Sequence, residues 1–315
     1  AANADLSLVR LDATAEGQDI ATGLAEVDTL LRGPLTLDVD AAREGEAIAV
    51  SALSLDTDSV TLHTSGRLGA EGDRLAVTAR LNDVAPFVPG LSGPLSIDGS
   101  VGQQAENIVL DLSADGPGGA RADVSGTLQQ DGASASLDID GLAPLALANR
   151  FIAPRSLAGV TNFNLRLDGP LGLNSVAGRV TLSDARLAAP TLPTSLEAIS
   201  GTIDLASGQA TLNIGATVET GGTLTLQGPV ALTAPNTAAL RVGLNSVRLT
   251  DPQLFETVAN GQLRIDGPVA GGASITGTID LAETNIRIPS SGLGGAGAIP
   301  EITHLNEPPP VRGTR

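Results

Sequence analysis

The stretch from residue 261 to residue 289, GQLRIDGPVAGGASITGTIDLAETNIRIP, decides the fold. Aliphatic and polar residues alternate along it with a period of two, which places the aliphatic side chains on one face of a sheet. Glycine and proline interrupt the alternation at 267–268 and 271–272, where the chain must turn. The pattern predicts three strands and two turns of a one-sided antiparallel meander. Its alternating aliphatic positions are Leu263, Ile265, Ile275, Ile279, Leu281, Ile286 and Ile288.

The same unit recurs along the chain. Residues 33–38, GPLTLD, return 60 residues later as 93–98, GPLSID, and 65–68, SGRL, return in the same register as 125–128, SGTL. Residues 201–205, GTIDL, are repeated letter for letter at 277–281. An internal repeat must be recognised before a fold is assigned. About twenty strands result, and at ~4.8 Å per strand a continuous sheet would be about 95 Å long.

Composition limits the possible classes of fold and partner. The chain of 315 residues has 1% aromatic residues, no Trp, Tyr, Met or Cys, and a formal net charge of −17. Without cysteine there is no disulfide scaffold and no thiolate metal site. Nucleic acid is not expected as a partner, because it requires clustered basic residues. No stretch approaches the roughly 18 apolar residues of a membrane span, and no signal peptide is evident at the start.

The aliphatic face of such a sheet must be covered. About twenty strands with Leu, Ile and Val on one side expose more than the few hundred Å² of contiguous apolar surface that soluble proteins normally leave open. A second sheet, the same sheet curled over, or lipid chains could cover it. The scarcity of aromatic residues and the many small ones favour an open aliphatic groove over a filled sandwich.

No arrangement of residues indicates catalysis, a metal site or a cofactor. His63 and His304 are far apart in the sequence, and His63 is expected on the solvent face of a strand. The glycine-rich run 294–297 lacks the Lys and Ser/Thr of a phosphate-binding loop. The acidic pairs Asp56/Asp58 and Asp138/Asp140 are spaced for one strand face, and we interpret them as solvated. One or two helical turns are expected in 142–154, LAPLALANRFIAP.

The end of the chain carries the most specific resemblance: 250–255, TDPQLF; 270–272, AGG; 277–281, GTIDL; 286–289, IRIP; and 299–308, IPEITHLNEP. With these segments the sequence resembles the AsmA-like superfamily of bridge-like lipid transport proteins and, within it, the TamB family of translocation and assembly module proteins. The resemblance implies a Gram-negative periplasmic protein anchored in the inner membrane, whose sheet forms a trough (a β-taco) between the two membranes. It also implies docking on a TamA-like outer-membrane barrel, with roles in phospholipid transport, outer-membrane biogenesis and protein secretion.

The resulting expectation is an all-β fold: one long, twisted, mainly antiparallel sheet, curled into an open trough with an aliphatic lining and few or no helices. Residues 1–289 form the continuous sheet and 290–315 a Gly/Pro-rich loop or fraying end. We interpret the chain as an internal piece, with the N-terminal membrane helix and the C-terminal domain outside it.

The expected function is non-enzymatic conduction of phospholipid acyl chains along the apolar groove. The alternative is a structural or adhesive β-helical passenger domain of a secreted surface protein, whose coils would be parallel rather than antiparallel. The residues expected to line the groove are Leu35, Leu37, Leu95, Ile97, Ile203, Leu205, Leu263, Ile265, Ile275, Ile279 and Leu281.

Overall fold

A computed structural model describes residues 8–23, 25–44, 47–69, 72–88, 91–105, 107–190, 194–251, 254–269 and 271–286. Within them the chain forms a single sheet of 18 strands. The predicted strands at 262–266 and 274–281 are present, the third is described only as far as Ile286, and the prediction for 290–315 lies outside the described residues. The strands are β1 Leu8–Gln18, β2 Pro34–Glu44, β3 Ala47–Thr57, β4 Val60–Leu68, β5 Arg74–Leu81, β6 Leu95–Gln104, β7 Asn107–Asp115, β8 Arg121–Gln129, β9 Ser134–Pro144, β10 Ser156–Pro170, β11 Val176–Ala188, β12 Leu196–Ala206, β13 Gln209–Val218, β14 Thr223–Ala231, β15 Thr237–Asp251, β16 Phe255–Pro268, β17 Ser274–Leu281 and β18 Asn285–Ile286.

The topology is a simple meander. Each strand from β1 to β16 pairs with the next one in antiparallel orientation, and the short β18 pairs with β16 beyond the end of β17. In the described part of the chain no ladder joins β1 to β17, so the sheet is open rather than a closed barrel. The expected all-β fold is confirmed. The antiparallel ladders exclude the alternative of a parallel β-helix.

The two ends of the strands differ. In a meander, successive connections alternate between the two ends, which we call the first rim (connections β1–β2, β3–β4 and so on to β15–β16) and the second rim (β2–β3 to β16–β17). Most of the longer connections lie on the first rim and hold helix α1 (Ala25–Leu30) and helix α2 (Asn149–Ile152). Helix α2 follows a 3-10 turn at Leu145–Ala148, so the helical turns expected in this segment are present. None of the helices in the described ranges has the length and apolarity needed to cross a bilayer.

The 60-residue sequence repeat corresponds to four strands. Residue 33 precedes the group β2 to β5, and residue 93 precedes the group β6 to β9. Leu35 at the start of β2 and Leu95 at the start of β6 are therefore equivalent positions in two successive groups of four strands. Because strands run alternately up and down, a repeat of an even number of strands returns each position to the same rim and the same face.

Glycines within the strands permit backbone conformations that other residues rarely adopt. Gly178 in β11 has a φ of +130°, and a Cβ added there would lie 2.2 Å from the backbone oxygen of Asn164 in β10. Glycine kinks of this kind let a sheet bend sharply toward one face. Gly215 in β13 provides a contrast, because an added Cβ would meet no atom within 4 Å.

We predict that Gly178→Ala destabilises the protein and Gly215→Ala does not. The methyl group at residue 178 must displace the β10 backbone and adopt an unfavourable φ, which costs roughly 1–3 kcal/mol. Urea unfolding followed by circular dichroism measures both variants. Equal midpoints for Gly178→Ala and the wild type would show that the kink is not needed.

Candidate functional site

One face of the sheet is apolar across its whole length. Alternate residues of each strand are half-buried and exposed, as in β5, where Leu75, Val77, Ala79 and Leu81 are half-buried and the residues between them are exposed. We call the half-buried, aliphatic side the inward face and the other the outward face. Directly opposed residues of neighbouring antiparallel strands lie on the same face. The ladders therefore show which residues form continuous rows.

A single row of apolar residues crosses seventeen strands, from β1 to β17, on the inward face. We call it the long row. Sixteen steps of ~4.8 Å make it about 77 Å long. At one step, between β14 and β15, the link is the contact of Gly228 with the backbone of Leu240. In chain order its members are Ala15, Leu37, Leu55, Leu62, Ala79, Ile97, Ala114, Ala122, Gly141, Phe163, Val180, Ile203, Leu212, Gly228, Leu240, Ile265 and Ile275.

The adjacent row on the outward face is polar throughout thirteen strands. Several of its members are joined by hydrogen bonds, such as the one donated by the Thr14 hydroxyl to Asp38, of 2.6 Å, and the one donated by Arg179 to Asp204, of 2.6 Å. The sheet thus separates an apolar surface from a charged one by the thickness of its backbone. The row consists of Thr14, Asp38, Ser54, His63, Thr78, Asp98, Ser113, Asp123, Asp140, Asn164, Arg179, Asp204 and Thr211.

The structure places all eleven residues expected to line the groove on the inward face. They belong to several neighbouring rows. Those in the long row are Leu37, Ile97, Ile203, Ile265 and Ile275. The others lie in parallel inward rows on either side of it: Leu35, Leu95, Leu205, Leu263, Ile279 and Leu281. Their role in holding a ligand stays a prediction.

No second sheet covers the inward face in the described residues, because all of their strands belong to one sheet. Of the possible coverings of the aliphatic face, a second sheet is therefore excluded for the described residues. The face is most open at β17, where Ile275 is 65% and Leu281 58% exposed, whereas Leu35 in β2 is 6% exposed.

The chain covers its own inward face at one place on the first rim. Leu145, which begins the 3-10 turn before α2, packs against a buried cluster of Ala185, Ile199 and Ala216. Asp184 and Ala198 precede two of these residues and have φ values of +52° and +49°, where the pairing of β11 with β12 is bulged. Bulges increase the local bend of a strand. At these bulges the ends of β11 and β12 and the segment before α2 form a small packed cluster.

Phe163 is a lining residue that we did not predict. It lies in the long row beside Gly141, where an added Cβ would be 2.6 Å from the phenyl ring, so the glycine provides the space for the ring. Its alternation with Leu165 and Leu167 in the sequence was enough to predict that Phe163 lies on the same face as these two leucines. The lining also includes hydroxyl groups: Thr64 faces inward, and Thr161 donates to the carbonyl of Thr181 over 2.9 Å.

The polar residues singled out in the sequence that the structure describes do not come together in one cluster. His63 is exposed on the outward face, as expected. The acidic pair Asp56/Asp58 does not share a strand face, because β3 ends at Thr57 and Asp58 lies in the following turn. Across the described ranges, no group of three or more metal-ligating side chains comes together. His304 and the run 294–297 lie outside the described residues.

Carboxylates accept hydrogen bonds within the connections of the first rim. Asp83 accepts hydrogen bonds from the backbone N–H groups of Gly93, at 3.0 Å, and Ala85, at 3.1 Å, which lower its pKa. The hydroxyl of Ser195 donates to Glu219 over 2.6 Å, and this bond and the Ser195 backbone N–H lower the pKa of Glu219. Arg186 adds a further favourable charge beside Glu219.

We predict that acid loosens the first rim. A carboxylate whose folded-state pKa is lowered contributes stability that is complete above its ordinary pKa, 4.5 for Glu219, and is lost as the pH falls through the folded value. In melting curves followed by circular dichroism, Glu219→Gln should melt below the wild type at about pH 6 and lose less stability than the wild type between about pH 5 and pH 3.

The matched control is Glu283→Gln, which removes an exposed carboxylate that makes no hydrogen bond with the described residues. This variant should follow the wild-type pH dependence. If Glu219→Gln also followed it, the carboxylate of Glu219 would not be a source of the acid sensitivity.

A comparison with protein families gives one match. The family model described as the TamB C-terminal domain matches residues 90–288, well over half of the chain. We had expected the C-terminal domain of this family to lie outside the sequence, whereas the match extends through most of the sheet. Because the alternation is uniform, the sequence shows no boundary between one part of the sheet and the next. No curated protein and no solved structure gave a significant match.

Proposed function

The chain belongs to the TamB family, and from this premise we propose that its inward face carries the acyl chains of phospholipids. The observation that supports the proposal is the long row. Seventeen strands contribute to it, each with an apolar residue, and no second sheet lies on it in the described residues. Aliphatic side chains left open over about 77 Å require an apolar occupant. Acyl chains meet this requirement without hydrogen bonds.

The energetics suit conduction rather than tight binding. Each CH₂ group removed from water contributes ~0.8 kcal/mol, whichever aliphatic side chain it contacts. Because neighbouring positions of the long row offer nearly the same surface, a chain that moves by one strand exchanges one set of contacts for a similar set. The free-energy barriers between neighbouring positions are therefore low. The polar headgroup projects from the open side of the groove, since burying it would cost several kcal/mol.

The cellular setting that we propose is the periplasm of a Gram-negative bacterium. There the trough bridges the inner and outer membranes, with an inner-membrane anchor on the full-length protein and a TamA-like barrel as its outer-membrane partner. The role is non-enzymatic. A linked role in outer-membrane protein assembly is favoured by β17, which has a ladder on only one side among the described strands and can pair with a further strand on the other.

We predict that phospholipid copurifies with this protein. Native mass spectrometry of the full chain, with lipid extraction and mass analysis of the extract, should find phospholipids without selection for acyl length, because the groove offers uniform contacts. A preparation that is folded by circular dichroism and free of phospholipid would contradict the proposal.

We predict further that charge on the inward face prevents lipid binding and charge on the outward face does not. Ile279→Asp places a carboxylate among the lining side chains, and Thr278→Asp places one on the opposite face of the same strand. The first variant should retain roughly tenfold less lipid or worse, because desolvating the charge costs several kcal/mol, and the second should retain the wild-type amount.

Position 279 is suited to this test because Ile279 is already 47% exposed, so its replacement removes little packing. Melting curves of both variants are the control for folding. A stable Ile279→Asp protein with a full complement of lipid would show that the acyl chains do not use this part of the inward face.

A further inference from the structure

A hollow on the outward face of β14 to β17 contains two arginines opposite each other. Arg241 in β15 and Arg264 in β16 are directly paired in the antiparallel ladder, which places their Cβ atoms about 5 Å apart. Both residues line a cavity of about 380 Å³. Like charges at directly opposed positions of a sheet repel each other. This repulsion lowers the stability of the folded protein.

No carboxylate in the described residues offsets this pair. Other arginines of the sheet contact a carboxylate within 4 Å, as in the pairs Arg179–Asp204, at 2.6 Å, and Arg121–Asp115, at 3.0 Å. Neither Arg241 nor Arg264 has such a contact with a carboxylate of the described residues. The nearest acidic residue along β16 is Asp266, which faces Ala239 across the ladder and makes no ion pair with either arginine. In a chain with a net charge of −17, two adjacent unpaired cations are an exception.

The surroundings of the pair are neutral hydrogen-bonding groups. The row through both arginines continues to Gln227 on one side and Thr276 on the other. The next outward row contributes Thr225 and Gln262 to the same cavity. Between them lies Gly243, where an added Cβ would be 2.6 Å from the hydroxyl of Thr225, so any larger residue would fill the space. Two guanidinium groups, two amides and two hydroxyls thus line the cavity, together with Val242, Gly243, Leu263 and Gly277 of the same strands.

We propose that this cavity is a binding site for a phosphate group. A guanidinium presents planar pairs of N–H donors that match the oxygens of phosphate or carboxylate. A carboxylate has two oxygens and a single charge, whereas a phosphate monoester carries about −1.5 to −2 charges and three terminal oxygens. Two arginines supply the opposite charge of a phosphate, and its oxygens can use the neutral donors as well. The repulsion between Arg241 and Arg264 is relieved when the anion binds between them.

The site goes beyond the proposed function, because the backbone of the sheet separates it from the groove. The phosphate can belong to a soluble molecule or to the headgroup of a lipid in a membrane surface. Both sources offer the same oxygens to the arginines, so the experiment tests for the shared chemistry first and then for the source.

The first measurement is the binding of inorganic phosphate to the full chain, by titration calorimetry at constant ionic strength with chloride as the reference anion. We expect saturable binding and a rise in the melting temperature with phosphate. Arg241→Gln and Arg264→Gln should each weaken binding at least about tenfold, since each removes a set of charge-assisted hydrogen bonds. Arg80→Gln is the matched control: Arg80 is an exposed outward arginine that faces Thr61 and Ser96 rather than a second arginine, and its replacement should change nothing.

A purely structural role for the arginines predicts a different result. Without phosphate, the two variants should melt at or above the wild-type temperature, because each removes the repulsion within the pair. The Ile279→Asp variant should bind phosphate like the wild type, which separates the failure of this site from the failure of the groove. Absence of saturable phosphate binding in the wild type, or unchanged binding in the double variant, would overturn the proposal.

Vesicles identify the source of the phosphate. Flotation with phosphatidylcholine vesicles that contain phosphatidic acid, lost in the Arg241→Gln/Arg264→Gln double variant, would assign the site to a lipid headgroup. Saturable binding of inorganic phosphate without flotation would assign it to a soluble phosphate. Either result supports the site.

Discussion

The pairing of each strand with the next fixes which residues share a face, and both surfaces of this protein depend on it. Across the ladder between β9 and β10, Leu165 is opposite Ile139, while Asn164 is opposite Asp140. A slip of one residue would exchange the two faces, because side chains alternate along a strand. The long row stays apolar through seventeen strands only because no ladder slips along it. Burial of the aliphatic face and solvation of the polar one favour the same register, so each ladder reinforces the next.

The bulges lie where they do not disturb the long row. In β11 and β12 they occur at Asp184 and Ala198, toward the first rim, and the row crosses the same strands further along at Val180 and Ile203. Beyond the bulges the strands bend and their side chains pack tightly, as Ala185, at 1% exposure, shows. The sheet therefore has a small packed core near the first rim. Along the long row, by contrast, the aliphatic side chains are less tightly packed.

The sequence was sufficient for those features that depend on a period of two. Alternation placed Leu37, Ile203 and Ile275 on one face, and the simple succession of turns predicted the meander. It could not predict the bulge at Ala198, because alanine carries none of the preference for positive φ that marks glycine or asparagine. It also could not show that Arg241 faces Arg264, since they are 23 residues apart and only the register of β15 with β16 brings them together.

The two faces are suited to opposite kinds of binding for one physical reason. A row of similar aliphatic residues gives an apolar chain nearly the same free energy at every position, so it permits movement and provides no discrimination. Recognition of a specific group requires a place that differs from its surroundings, and on the outward face the uncompensated charges of Arg241 and Arg264 are such a place. Because charge cannot enter the lining without desolvation, a site for an ionic group can be added to this sheet only on the outward side. The conduction and the recognition that we propose are therefore separated by the sheet itself.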